Sequence, residues 1–209
     1  GAYGKHLQHM SPFMGNHDVA RIATEIAGNG QGPFGNAPDL MAEGGSEVTQ
    51  WDIINKMSHA FLFVLTQPGI PLIYYGDELG LAGDGDPDNR RFMPATMSAN
   101  QTTLLNRVRE ISRARRELPA LRGDVREEVW VDSDVYVYMR RNENESAFVA
   151  MSKSSETRSV DVEIPNALGL ANAKLVAFGR PEKTVQVIDG TARVTLDSWE
   201  YLILVPETE

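Results

Sequence analysis

The apolar residues of this chain change their repeat partway along, and that change limits the folds open to it. Up to about Gly123, short apolar runs alternate with segments whose apolar residues recur every three or four positions. Beyond Gly123 they recur every two. The first part therefore reads as alternating β and α, and the second as antiparallel β. A boundary near Gly123 divides the chain into 1–123 and 124–209.

In the first part, Pro12-Phe13-Met14 reads as a strand end that runs into the polar tip Gly15-Asn16-His17-Asp18. Val19, Ile22, Ala23 and Ile26 then predict a short helix over Asp18–Ala27. Gly28–Gly45, rich in Gly, Asn and Pro, reads as a long loop, of a length that is usually functional or disordered. Thr49 is placed to cap a helix from about Trp51 to Thr66, with Ile53, Ile54, Met57, Ala60, Phe61 and Val64 on its buried side and Pro68-Gly69 as its stop. The run Ile70–Tyr75, ending at Gly76, predicts a strand buried on both faces. A polar loop, Asp84–Pro94, leads to a helix from about Thr102 to Glu117 with Leu104, Leu105, Val108 and Ile111 inside. Arg107, Arg109, Arg113, Arg115 and Arg116 read as its solvated face. In the second part, period-two runs at 128–131, 134–139, 147–151, 160–164, 174–178, 185–188, 192–196 and 201–205 predict an antiparallel sandwich or barrel of eight strands. Asn142–Asn144 and Asp189-Gly190 supply turns.

Composition removes several functions. Twenty Lys and Arg against 29 Asp and Glu leave a net charge of −9, which argues against a nucleic-acid or anionic-membrane surface. The absence of cysteine excludes disulfides, thiolate zinc sites and thiol nucleophiles. The most apolar stretch, Ala60–Leu65, falls far short of the roughly 20 residues of a membrane span. The chain opens at Gly1 with no charged-then-apolar leader, and the expectation is that sequence precedes it.

Four segments carry the chemistry. Asn16-His17-Asp18 reads either as a helix cap with a satisfied histidine or as a grip on a polar ligand such as sugar hydroxyls. Adjacent side chains at a strand end diverge, so it is no serine-type triad. Gly69–Gly80 reads as a packed strand whose closing loop is pinned by Glu78. Asp84–Pro94 resembles the start of a calcium loop, but Asn89 and Ala95 stand where an EF-hand needs Gly and Glu. What remains is an Asp/Arg pair gripping a ligand, or a loop braced by its own salt bridges. Arg116–Gly123 is, by itself, a helix stop.

Together and in this order, the four segments resemble the α-amylase superfamily of glycoside hydrolases (family 13). The likeness lies in Asn16-His17-Asp18 after an apolar Phe13-Met14, in Pro68-Gly69-Ile70-Pro71 through Tyr74-Tyr75-Gly76-Asp77-Glu78, in Asp86-Pro87-Asp88-Asn89-Arg90-Arg91, and in Pro119-Ala120-Leu121-Arg122-Gly123. The third is similar to loops of the neopullulanase and cyclomaltodextrinase-like branch. Gly15 departs from the pattern, since many members carry an acid there. The resemblance implies strands seven and eight of a (β/α)₈ TIM barrel with their helices, followed by an antiparallel β-sandwich domain. A whole barrel takes about 250 residues, and no segment here resembles the family's strand-four nucleophilic Asp or strand-five general-acid Glu. The chain is thus expected to be the C-terminal part of a retaining α-glucan hydrolase, inactive alone.

The same resemblance assigns roles. Asp18 becomes the transition-state-stabilising carboxylate that binds the sugar O2 and O3, His17 donates to the same hydroxyls, and Asn16 positions the turn. Asp86 and Arg90 resemble the pair holding the next glucosyl unit. An α-glucan or maltooligosaccharide is the implied substrate. The implied partner is the rest of the barrel, or a second copy through the open edge. No cofactor is expected in this chain; calcium is considered only for the full-length enzyme. Trp130 and Trp199 read as core residues rather than a starch platform. Polymeric substrate favours an extracellular or periplasmic location, and short maltodextrins permit the cytoplasm. The alternatives are a transglycosylase or sucrose-active relative, and a non-catalytic amylase-like binding or partner protein.

Overall fold

A computed structural model describes residues 9–28, 39, 41 and 47–207. The chain divides into two compact units, one comprising Gly1–Met10, Thr66–Gly69 and Arg113–Glu209, the other Ser11–Leu65 and Ile70–Ser112.

The first unit holds eight strands: β1 (Val125–Val131), β2 (Val135–Arg141), β3 (Ser146–Ser152), β4 (Arg158–Glu163), β5 (Lys174–Ala177), β6 (Arg180–Ile188), β7 (Thr191–Leu196) and β8 (Tyr201–Pro206). They form one antiparallel sheet, in the order β1-β2-β3-β8-β5-β6-β7-β4, nearly closed into a barrel. The period-two runs account for every one of these strands. β4 and β7 alternate as a half-buried strand should: Val160, Val162, Val194 and Leu196 face the core, while Asp161, Arg193 and Thr195 face water. The β6–β7 turn uses Asp189 and Gly190 at φ of 48° and 84°, the left-handed pair a tight hairpin needs.

β2, β3 and β8 are buried on both faces. Val137, Phe148 and Leu204 point into the core, and Tyr138, Val149 and Ile203 are buried on the opposite face in one register row. There the Tyr138 hydroxyl meets Thr66 Oγ1 at 2.5 Å, and burial pushes the phenol up to about 12. The fully buried Arg140 donates to the carbonyls of Thr66 (2.5 Å), Val125 (3.1 Å) and Gly123, and burial lowers its guanidinium to about 10. Gly123 runs so close to β2 that a Cβ there would lie 2.1 Å from the Arg141 carbonyl oxygen, which no side chain tolerates.

Two expectations change here. Arg115 is not solvated: it donates to Gln67 O (3.0 Å), Gly69 O (2.6 Å) and Leu121 O (3.0 Å). Carbonyls just past a helix end lack partners within the helix and attract cations, so a part-buried arginine there fills a structural need. Arg113 lies over the Phe178 ring at 5.0 Å. Trp130 packs against the core, as expected, but Trp199 sits half-buried in a turn at φ 52° rather than in the core.

The second unit is helical. α1 (Ile22–Ala27), α2 (Glu47–Thr66) and α3 (Ala99–Glu117) are its helices, except that Thr66 of α2 and residues 113–117 of α3 are counted with the first unit. α2 starts before the expected Thr49 cap, which lies within it. Ile53, Ile54, Met57, Phe61 and Val64 are buried at the anticipated spacing. α3 begins earlier than Thr102 because Ser98 and Gln101 cap each other: Ser98 N donates to Gln101 Oε1 (3.0 Å) and Gln101 N to Ser98 Oγ (3.1 Å). Arg107, expected in solvent, donates to Asn55 Oδ1 (3.1 Å) and Ser58 Oγ (3.3 Å) of α2. The loop expected over Gly28–Gly45 lies outside the described residues except at Gly28, Asp39 and Met41.

Ile70–Tyr75 differs from its expectation. It pairs in no ladder among the described residues, and its bonds to the segment before Asn16 are one from Leu72 N to Pro12 O (3.0 Å) and one from Ser11 Oγ to Ile70 O (2.8 Å). Ile70 is 67% exposed and Leu72 and Phe13 about half exposed. A central strand is buried by neighbours on both sides, and among the described residues one segment, Ser11–Pro12, supplies the lateral partner here. Among the described residues no helix is long and apolar enough to cross a membrane.

Candidate functional site

Two loops of the second unit converge. The first turns at Asn16, whose Oδ1 accepts the Asp18 amide at 2.8 Å, a local bond that favours Asn at such a bend. It leaves the His17 and Asp18 side chains 66% and 69% exposed, with Nε2 and Oδ1 3.3 Å apart. An imidazole and a carboxylate side by side in water offer donor and acceptor to vicinal hydroxyls.

The second loop, Asp84–Arg91, is braced by Asp88. Its carboxylate accepts the Asp84 amide (2.8 Å) and a two-pronged bond from Arg91, Nε to Oδ1 at 2.8 Å and Nη2 to Oδ2 at 2.7 Å. Asp86 and Arg90, the residues singled out in sequence, form a half-exposed ion pair at 3.1 Å. Arg90 Nε also donates to His17 O at 3.2 Å. Asn16, His17, Asp18, Asp86 and Arg90 therefore lie on two loops joined directly through Arg90.

Beneath them is a polar cluster that sequence reasoning passed over. Arg21, 1% exposed, donates through Nε to Asn89 O (2.7 Å) and through Nη1 to Tyr75 O (2.5 Å) and Asp77 Oδ1 (3.0 Å). Its guanidinium lies 4.0 Å and 4.6 Å from the Tyr74 and Tyr75 ring centres. Burial raises the Asp77 carboxyl to about 6, against the pull of Arg21, and the neighbouring Glu78 charge adds to the rise. Asn89, fully buried, donates from Nδ2 to His17 O (3.0 Å) and Val19 O (2.9 Å). The sequence held one signal for this cluster: a basic residue, Arg21, one position before the apolar pair Ile22-Ala23.

Gly15 has a geometric reason. It is buried, and a Cβ built on it would stand 2.7 Å from Asp77 Oδ2 and 3.6 Å from Asp77 Cγ. The Asp77 carboxylate occupies the place a side chain at position 15 would take.

No family model matches the chain. Among curated proteins, it is 31% identical over 145 residues to the cyclomaltodextrin glucanotransferase of Niallia circulans, a stretch covering 69% of this chain and 16% of that protein. It is 30% identical over 196 residues to the β/α-amylase of Paenibacillus polymyxa, covering 93% of this chain and 14% of that one. Among solved structures, the α-amylase from Geobacillus thermoleovorans, complexed with acarbose, shares the fold with a TM-score of 0.77 over 97% of this chain and 40% of that one, at 23% identity. The chain thus spans less than a fifth of the length of these curated relatives.

Proposed function

This chain is homologous to part of the enzymes of the α-amylase superfamily, and on that premise we propose that it is the C-terminal part of a retaining α-glucan hydrolase. In this reading Ser11–Met14 and Ile70–Tyr75 are strands seven and eight of the (β/α)₈ barrel, and the eight-stranded sheet is the domain that follows it. The exposed Phe13, Ile70 and Leu72 support it, since they are the apolar surface that further strands would cover.

The observation that carries the functional reading is the pairing of His17–Asp18 with Asp86–Arg90 on two directly linked loops. Retaining chemistry needs a nucleophilic carboxylate and an acid/base carboxyl about 5–5.5 Å apart, and the rest of the parent chain would supply both. Asp18 would accept hydrogen bonds from the 2- and 3-hydroxyls of the sugar at the cleavage point and His17 would donate to them. These bonds tighten as the ring flattens toward the oxocarbenium-like transition state. Asp86 and Arg90 would hold the adjoining glucosyl unit. No step is assigned to a metal in this chain.

Asp18→Asn in the complete enzyme tests this. The carboxylate is exposed, so folding should be unchanged, while kcat on maltooligosaccharides should fall by about 10²–10³-fold. Activity within threefold of wild type would sink the reading. A second reading, glucanotransfer rather than hydrolysis, is supported by the likeness to cyclomaltodextrin glucanotransferases. Chromatography of products from maltoheptaose separates the two, since transfer yields cyclic or longer products and hydrolysis only shorter ones.

A further inference from the structure

We propose that Asn89 is a positioning residue for Asp18. The inference rests on the proposed role of Asp18 and extends it to a residue that touches no substrate. Asn89 Nδ2 donates to the carbonyls of His17 and Val19, at 3.0 Å and 2.9 Å, which are the residues immediately before and after Asp18. One amide group therefore fixes the backbone on both sides of an exposed carboxylate, while Asn16 Oδ1 holds the Asp18 amide between them.

Asn89 is itself fixed. Its carbonyl accepts Arg21 Nε at 2.7 Å, and Arg21 is anchored to Tyr75 O and Asp77. Arg21 N donates to Gly83 O at 2.9 Å, and a Cβ on Gly83 would meet the Asp88 carbonyl oxygen at 2.6 Å and Asn89 Cα at 2.8 Å. The 83–89 backbone is thereby pressed against the segment that carries Asp18. Exposed loops wander unless their neighbours over-determine them, and a displacement of about 1 Å in a reacting group costs on the order of 10²-fold in rate. The bracket at Asn89 converts an exposed aspartate into a rigidly aimed one.

The test uses the complete enzyme, with maltoheptaose as the probe and activity normalised to folded protein. Asn89→Asp keeps the shape and removes both donors, and kcat is expected to fall by about 10–100-fold with KM within threefold. Asn89→Ser keeps one donor and should fall between that variant and wild type. The ratio of Asn89→Asp to wild-type activity should rise as pH is lowered, because a protonated carboxyl regains one donor; a residue serving stability alone would leave that ratio flat. Asp18→Asn runs beside them. If it leaves kcat intact, the reading of the site fails. If it abolishes kcat while Asn89→Asp does not lower it, the positioning role fails and the reading of the site stands. If neither Asn89 variant folds, the residue is structural and the proposal falls.

Discussion

The two units of this chain hold their non-helical backbone in opposite ways. In the sheet, every strand is bonded edge to edge, so the orientation of Phe148 or Leu204 is guaranteed by many equivalent bonds. In the helical unit, Ile70–Tyr75 and the segment before Asn16 share a single backbone bond, and a few buried side chains, chiefly Arg21 and Asn89, do the fixing. A ladder spreads its stabilisation over many weak contributions. A side-chain bracket concentrates it in a few groups, and it leaves the residues between them, such as His17 and Asp18, free to face water.

The difference is measurable. Arg21→Met should be the most damaging single change, about 4 kcal/mol, because it removes the bonds to Tyr75 and Asn89 and leaves the Asp77 carboxylate buried without its guanidinium. Leu204→Ala, in the core of the sheet, should cost about 3 kcal/mol through lost packing and a cavity. Urea denaturation of both variants ranks them, and an Arg21→Met cost well below that of Leu204→Ala would break the contrast.

A smaller effect sharpens it. The carboxyl of Asp77 rises from 3.8 to about 6 on folding, so the folded state binds that proton more tightly than the unfolded state. The resulting contribution is complete below pH 3.8 and lost as pH climbs through 6. Relative to Asp77→Asn, the wild type should therefore gain about 1 kcal/mol between pH 7 and pH 5, read from urea midpoints at the two pH values. A shift of the opposite sign would mean that the Arg21 ion pair outweighs burial. The smallest change belongs to the sheet's surface: Lys183→Ala, which loses contacts to Asp197 and Glu200, should cost about 0.5 kcal/mol and vanish in high salt.

The same contrast explains what could be read in advance. Strands β1 to β8 were legible because alternation is written locally, residue by residue, as at Val160-Asp161-Val162. The buried stripe of α2 was legible for the same reason. The segment Ile70–Tyr75 misled because apolar content reports how much surface a strand expects to bury, and says nothing about how many neighbours are present to bury it. Arg115 and Arg107 misled because helical position does not show that carbonyls such as Gln67 O or polar side chains such as Asn55 lie within reach. At the candidate site, Asn16 to Asp18 and Asp86 to Arg90 stood out as motifs. Asn89 was inside one of them and was weighed only as the residue standing where an EF-hand needs glycine, since its work depends on carbonyls some seventy residues away.

The contact between Gly15 and Asp77 couples two positions in the history of such a sequence. With Asp77 held in place by Arg21, any side chain at position 15 strikes its carboxylate and must displace it. A side chain added at position 15 therefore comes at the expense of the Arg21–Asp77 pair unless position 77 is shortened as well. The two positions should therefore change together, as a single inherited character, and a substitution tolerated at position 15 in one relative should destabilise the fold when moved alone into this chain.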